Sequence, residues 1–430
     1  MQRYVLSELD SGERVVTERV RNVRSVAIGF WVGAGSRDER TAKAGASHFL
    51  EHLLFKGTRA YSAHDIAAIF DRLGGELNAA TSREHTVVYA RVPDDRLELA
   101  LDVMTDMVFA PRFAELDAER EVVLEEIAMY EDTPQEYVHD LIAQAVFGRH
   151  ALGRPVVGTA EVVSTISRRS LAAYHRAMYA PGNVVVAAVG NLDHDSLLAL
   201  IESAAHKAGE PHARRPIRSP LVRAPAPGLR FQRKDTEQYH VCLAAPGIAR
   251  SDRRRFVVSL LDAILGGSAS SRLFQEIREK RGMAYSVYTF ASQYTDTGQI
   301  GLYLGTRENN LAECLEIAGR ELQALADGDL AADELERAKE NLKSRIVLSM
   351  ELTTNRMSRL GKSLITATEI LSLPRIIAEI EAVTIEAVAE LAGVLLAPER
   401  LSAAGIGPRE DHFLAAVDRV APSLVARVAA

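Results

Sequence analysis

The segment Gly45-Ala-Ser-His-Phe-Leu-Glu-His-Leu-Leu-Phe-Lys-Gly57 places two histidines and a carboxylate within five residues. Its apolar residues, Phe49, Leu50, Leu53, Leu54 and Phe55, alternate with polar ones as an amphipathic helix requires. At about 3.6 residues per turn, His48 and His52 stack on one face, and Glu51 lies one turn from His48 on its flank. Two imidazoles so placed hold one zinc ion, and a nearby carboxylate takes a proton from zinc-bound water. The order His-x-x-Glu-His inverts the commoner zinc-protease order. The competing reading is a chance arrangement on a half-buried helix. Twelve histidines in 430 residues make such a match rare.

Tetrahedral zinc holding two histidines and a water lacks one ligand. Residues 113–131 read as a carboxylate-rich helix, in which Glu119 and Glu126 stand two turns apart on a shared face. Val122 and Val123 are expected between them on that side, and Glu125 about 100° round the helix, toward solvent. A carboxylate pair among apolar neighbours needs a partner charge, and zinc is one such partner. A plain solvated face is the alternative.

These residues need a frame. Residues 3–8 and 13–19 read as a hairpin about Asp10-Ser-Gly12, and 25–32 as a strand of a covered sheet. Helices are expected at 43–56 and 62–73, then strands at 76–80 and 85–92. Helices at 94–109, 113–131, 135–147, 160–165 and 168–178, a strand at 184–189 and a helix at 194–207 complete a first domain, 1–208. Residues 209–228 hold five prolines and read as an extended linker, whose Arg214, Arg215, Arg218 and Arg223 are solvated charge. The second domain, 229–430, restarts the order with strands at 229–233 and 239–245, helices at 252–265 and 272–280, and strands at 284–292 and 299–304. Five helices between 308 and 394 and a strand at 401–406 follow.

An offset of 219 residues (271 − 52) sets His52-Leu-Leu-Phe55 over Ser271-Arg-Leu-Phe274, Leu116 over Leu335, Arg120 over Lys339 and Val123 over Leu342. The repeat predicts two homologous α+β domains, each a mainly antiparallel sheet packed with helices. In the second copy His48, Glu51 and His52 become Gly267, Ser270 and Ser271, while Glu119 and Glu126 become Ala338 and Arg345. Only the first domain is equipped for metal.

Composition narrows the partners. A net charge of -7 opposes nucleic acid, which needs a basic face. Cys242 and Cys314 lie far apart among apolar neighbours and read as reduced core thiols. The first residues show no basic region followed by an apolar run, and no stretch approaches the roughly 20 apolar residues of a membrane span. The expectation is a cytoplasmic protein with no membrane partner.

His48-Phe-Leu-Glu-His52, followed by Glu119-Arg-Glu-Val-Val-Leu-Glu-Glu-Ile127, resembles the inverzincin metallopeptidases. These are the pitrilysin, insulin-degrading enzyme and mitochondrial processing peptidase group. The chain is most similar to short bacterial members that resemble the processing-peptidase β subunit. The resemblance runs almost end to end, through 25–39, 74–86, 179–191 and 278–285. It implies one zinc per chain held by His48, His52 and Glu126, with Glu51 as general base and Glu119 as the carboxylate that orients a ligand histidine. It implies that 75–81 is an edge strand whose backbone pairs with extended peptide, with contacts at Asn78, Ala79 and Ala80. Arg278 and Tyr285 would reach the substrate backbone and the tetrahedral intermediate. His85 and His139 stay outside the motif as satisfied polar residues.

The resemblance further implies half of a clamshell per chain. Four such domains surround one chamber, so two chains are needed. The Arg278/Tyr285 pair facing a given zinc then comes from the partner chain. A homodimer suffices, and a heterodimer with a related subunit is the alternative. The expected activity is a zinc endopeptidase for extended or unfolded peptides. Two other readings compete: a non-catalytic partner or scaffold subunit, and an interaction module built on the linker arginines.

Overall fold

The computed structural model describes residues 4–205, 218, 220, 221 and 225–429. Most of the expected linker, with Arg214, Arg215 and Arg223, lies outside the described residues. In chain order the first half holds β1 (Tyr4–Glu8), β2 (Arg14–Arg19), β3 (Ser25–Val32), α1 (Ala46–Leu54), α2 (Ala63–Leu73), β4 (Glu76–Thr81), β5 (Thr86–Pro93), α3 (Leu97–Phe109), α4 (Leu116–Glu131), α5 (Pro134–Phe147), α6 (Ala160–Val163), α7 (Arg168–Met178), β6 (Val184–Gly190) and α8 (His194–Ala205). The second half holds β7 (Leu229–Arg233), β8 (Tyr239–Gly247), α9 (Arg255–Leu265), a π-helical turn (Phe274–Glu279), β9 (Ala284–Gln293), β10 (Gly298–Thr306), α10 (Glu308–Ala326), α11 (Ala332–Ser349), α12 (Thr353–Ile365), α13 (Leu373–Glu381), α14 (Ile385–Leu395), β11 (Ser402–Gly407), α15 (Glu410–Asp418) and α16 (Pro422–Ala429). None of these helices is long and apolar enough to cross a membrane.

Two sheets form, in the orders β1-β2-β6-β3-β5-β4 and β7-β11-β8-β10-β9. The β2–β6 and β7–β11 pairs are parallel and the other pairs antiparallel. With β1 set aside, β2 to β6 and β7 to β11 share one topology, strand for strand. The fold is α+β, with two copies of a mixed, mainly antiparallel sheet packed by helices.

Two compact units divide the chain, but not as two contiguous spans. The first comprises Met1–Ala128, Pro155–Ser219 and Val347–Ser372; the second comprises Met129–Arg154, Pro220–Ile346 and Leu373–Ala430. Relative to the expected spans 1–208 and 229–430, α5 belongs to the second unit and α12 to the first. The central strands explain why. β3 (Ser-Val-Ala-Ile-Gly-Phe-Trp-Val) and β6 (Val-Val-Val-Ala-Ala-Val-Gly) are apolar on both faces, so each sheet must be covered on both. On one face of the first sheet, β3 packs Val26, Ile28 and Phe30 into the core that holds α1 and α3. On the other face, Ala27, Trp31 and Val185 meet Met357, Leu360 and Ile365 of α12. The second unit repeats the device, with Val138, Ile142 and Phe147 of α5 against Cys242, Ala244 and Ala404. Both cysteines are buried and unpaired with each other.

Candidate metal centre

α1 starts at Gly45, whose φ of 94° is left-handed. A Cβ there would stand 2.7 Å from the Val157 carbonyl oxygen, so glycine is required twice over. No side chain caps the helix from Gly45 itself. The cap comes from Glu39, whose carboxylate accepts from the Gly45 amide at 2.8 Å and the Ser47 amide at 2.6 Å. Ser47 Oγ lies 2.8 Å from Tyr174 Oη on α7. Phe49, Leu50, Leu53 and Leu54 are fully buried. With that face fixed, His48 and His52 turn toward α4.

α4 begins later than expected, at Leu116, because Phe113 and Glu115 take positive φ and cannot extend a helix. Leu116, Glu119, Val123 and Ile127 form its buried stripe. Val122 is 50% exposed, so the expectation that it lies on the buried side is corrected: it sits a further 100° round from Val123. Glu125 is exposed, as expected. Arg120 holds α4 in place: it donates to the carbonyls of Val163 and Ile166, and its guanidinium lies 5.5 Å from the Phe49 ring of α1.

Three ligand atoms converge. His48 Nε2 and His52 Nε2 are 3.3 Å apart. Glu126 Oε1 is 3.4 Å from His48 Nε2, and its Oε2 is 3.2 Å from His52 Nε2. Two donors each about 2.05 Å from a tetrahedral zinc stand about 3.3 Å apart, which matches the two imidazole nitrogens, and one Glu126 oxygen lies close to each of them. The two histidines hold the Glu126 carboxyl well below the usual range, His48 most strongly, against an opposing effect of burial. Burial pulls the His52 imidazole down, but Glu126 and Glu119 outweigh it and leave it raised. A bound cation answers the same electrostatic demand.

Glu119 is 5% exposed and does not join the trio. Its Oε1 accepts from His52 Nδ1 at 2.9 Å and its Oε2 pairs with Lys56 Nζ at 2.6 Å. His48 Nδ1 and Glu51 Oε2 are buried and without a hydrogen-bond partner among the described residues. The Glu51 charge also acts on Tyr179, whose phenol is pushed up mainly by burial. Lys56 and Glu39 are the residues that sequence reasoning missed. Lys56 lies one turn past His52, but its partner Glu119 is set by tertiary contact, and Glu39 lies at no spacing that marks a cap.

The remaining expected site residues fall into two places. β4 pairs only with β5 among the described strands and ends its sheet, with α1 packed against it. On β4, Asn78 and Ala80 are exposed and Ala79 is buried. In the second unit, Arg278 closes the π-helical turn and donates to the Tyr285 carbonyl at 2.9 Å. Its guanidinium lies over two rings, 4.6 Å from the Phe274 centroid and 4.5 Å from the Tyr285 centroid. Tyr285 is 78% exposed. His85 meets Ser82 and His139 meets Tyr288 Oη at 2.8 Å, both outside the trio. Arg218, expected as solvated charge, instead forms a two-bond fork with Asp38 and donates to the Gly33 and Glu84 carbonyls, because a buried carboxylate there needs a cation.

The topology also corrects the register of the repeat. Two α-helices, α1 and α2, lie between β3 and β4 after two short 3-10 turns, and α9 with the π-helical turn lies between β8 and β9. Order therefore matches α1 with α9, not with 265–273. An offset of 210 (267 − 57) aligns them, and places Val258, Leu261 and Asp262 where the first unit has His48, Glu51 and His52. The offset of 219 still serves α4 and α11, where Leu335 and Ala338 are buried like Leu116 and Glu119. The partly buried Asp262 carboxyl is raised mainly by burial, with a Thr289 hydrogen bond and then the Arg345 charge acting to lower it. A carboxylate and a guanidinium thus stand where the first unit has an imidazole and a carboxylate.

Known families match successive parts of the chain. The family described as Insulinase (Peptidase family M16) matches residues 14–160, and that described as Peptidase M16 inactive domain matches residues 165–342. A protein of Streptomyces coelicolor, named an uncharacterized zinc protease, is 44% identical over 414 residues, covering 94% of this chain and 89% of the relative. One of Bacillus subtilis with the same description is 41% identical over 393 residues, covering 89% and 93%. The crystal structure of a peptidase M16 inactive domain from Pseudomonas fluorescens superposes with a TM-score of 0.87 at 22% identity, over 95% of this chain and 99% of that one. That of a protease from Helicobacter pylori gives 0.88 at 20% identity, over 94% and 99%. These two show the fold.

Proposed function

This chain belongs to the insulinase family, peptidase family M16, and from that premise we propose that it is a zinc-dependent endopeptidase acting on extended peptides. The observation that carries the reading is the convergence of His48, His52 and Glu126 at zinc-compatible spacing, with Glu51 beside them on α1. That relatives across most of the chain are named zinc proteases supports the same ion. Zinc bound there supplies a Lewis acid that polarises the scissile carbonyl and acidifies water.

The chain's own groups do the rest. Glu51 takes the proton of the attacking water on its carboxylate and later hands it to the leaving amine. Glu119 accepts from His52 Nδ1, which leaves the Nε2 lone pair facing the ligand site. The free edge of β4, around Asn78, Ala79 and Ala80, pairs with the substrate backbone, so affinity comes without strict sequence demand. Arg278 and Tyr285 donate to the developing oxyanion, reaching it from the second copy of a homodimer.

Glu51→Gln tests the mechanism. The variant is expected to hold one zinc per chain by elemental analysis and to lose about 10²–10⁴-fold in hydrolysis of a quenched-fluorescent peptide. Retained turnover would sink the role given to Glu51.

A further inference from the structure

We propose that Lys56 is a positioning residue of this centre: its ammonium fixes the Glu119 carboxylate, which fixes His52 for the metal. The inference rests on the zinc reading above. Lys56 stands just past the end of α1, one turn beyond His52 and two beyond His48. Its Nζ is 2.6 Å from Glu119 Oε2, while Oε1 of the same carboxylate is 2.9 Å from His52 Nδ1. The contacts form one chain: ammonium, carboxylate, imidazole, ligand site.

Each link constrains the next. Glu119 is buried on α4, and an anion there needs both oxygens engaged. As a carboxylate it only accepts, so His52 Nδ1 must donate and Nε2 must carry the lone pair. Lys56 occupies the second oxygen and stops the carboxylate from rotating away. Its own place suits a cation, because the carbonyls at the end of α1 carry the negative end of the helix dipole. His48 has no such support: its Nδ1 is buried and unpartnered among the described residues. His52 is therefore the ligand whose orientation is built in from outside, and Lys56 begins that support.

The test is zinc affinity of the full chain, read by competition with a chromogenic chelator. Lys56→Met is expected to weaken zinc binding about 10–100-fold, as loss of outer support does. Lys56→Arg should restore it to within about threefold, because the charge and the bond return. Lys56→Met combined with Glu119→Gln should be no weaker than Glu119→Gln alone, since both act through one carboxylate. If Lys56→Met fails to fold by circular dichroism, Lys56→Gln reads the loss of charge, with the same expected direction. Wild-type affinity in the folded neutral variants, or losses that multiply in the double variant, would overturn the proposal. A wild-type chain that binds no zinc, or that keeps it in His48→Ala, would overturn the zinc reading itself.

Discussion

At Gly45 the backbone turns left-handed and presents its amide to Glu39, so one glycine and one distant carboxylate set where α1 begins. Gly45→Ala must place a Cβ in a left-handed residue and 2.7 Å from the Val157 carbonyl oxygen. The expected loss is about 2 kcal/mol or more in urea unfolding of the metal-free protein, and zinc binding should weaken with it. Glu39→Gln keeps an acceptor and removes the charge, so about 1 kcal/mol is expected from the same measurement. This scale also shows what a sequence can state. His48, Glu51 and His52 were legible because helical spacing is local. Glu119 and Glu126 were legible from spacing as a pair on one face, and the family resemblance told ligand from support; the fold adds Lys56 beside the one and both histidines beside the other. Lys56 and Glu39 were not legible. Their partners are set by tertiary contact, and Glu39 caps a helix from six residues upstream of Gly45, where no capping-box spacing applies.

Among the elements, α7 carries a buried titratable group with a readable consequence. His175 Nε2 donates to the Val108 carbonyl at 2.8 Å, and its ring stacks on Tyr179 at 4.7 Å. Burial holds its imidazole down at about 4, against an ordinary 6.5. The folded protein keeps His175 neutral where the unfolded chain protonates it, so the unfolded state binds the extra proton between those values. Stability is therefore intact above pH 6.5 and falls as pH drops toward 4. At pH 4.5 the loss from this residue is about 2.5 kcal/mol. Urea titrations of chelator-treated protein at pH 7 and 4.5 measure it, and His175→Gln should shrink the drop by that amount; an unchanged drop would refute the assignment. Elements were mostly legible, since strands as apolar as β3 and helices as periodic as α1 announce themselves. The repeat register was misread because Leu-Leu-Phe and Leu-Phe spacings recur in any apolar helix. Ser271-Arg-Leu-Phe274 in fact leads into the π-helical turn after α9. Strand order, which is not local, corrects it.

For the whole molecule, the exchange of α5 and α12 between units was beyond reach of sequence, because an apolar helix face does not say which sheet it covers. The same limit applies to assembly, which a mixing experiment addresses. The zinc trio lies in the first unit; Arg278 and the exposed Tyr285 lie in the second. In the proposed homodimer each site joins the first unit of one chain to the second unit of the other. Glu51→Gln and Tyr285→Phe chains are each expected to be impaired alone. Mixed after unfolding and refolding, they form heterodimers in about half of all dimers if pairing is random. In the trans arrangement one of the two sites in a heterodimer has both Glu51 and Tyr285, so activity should rise to about a quarter of wild type. In a cis arrangement every site lacks one residue, and mixing adds nothing. An increase over both parents would therefore place Tyr285 on the partner chain, and its absence in a mixture shown by native mass spectrometry to contain heterodimers would remove the trans arrangement.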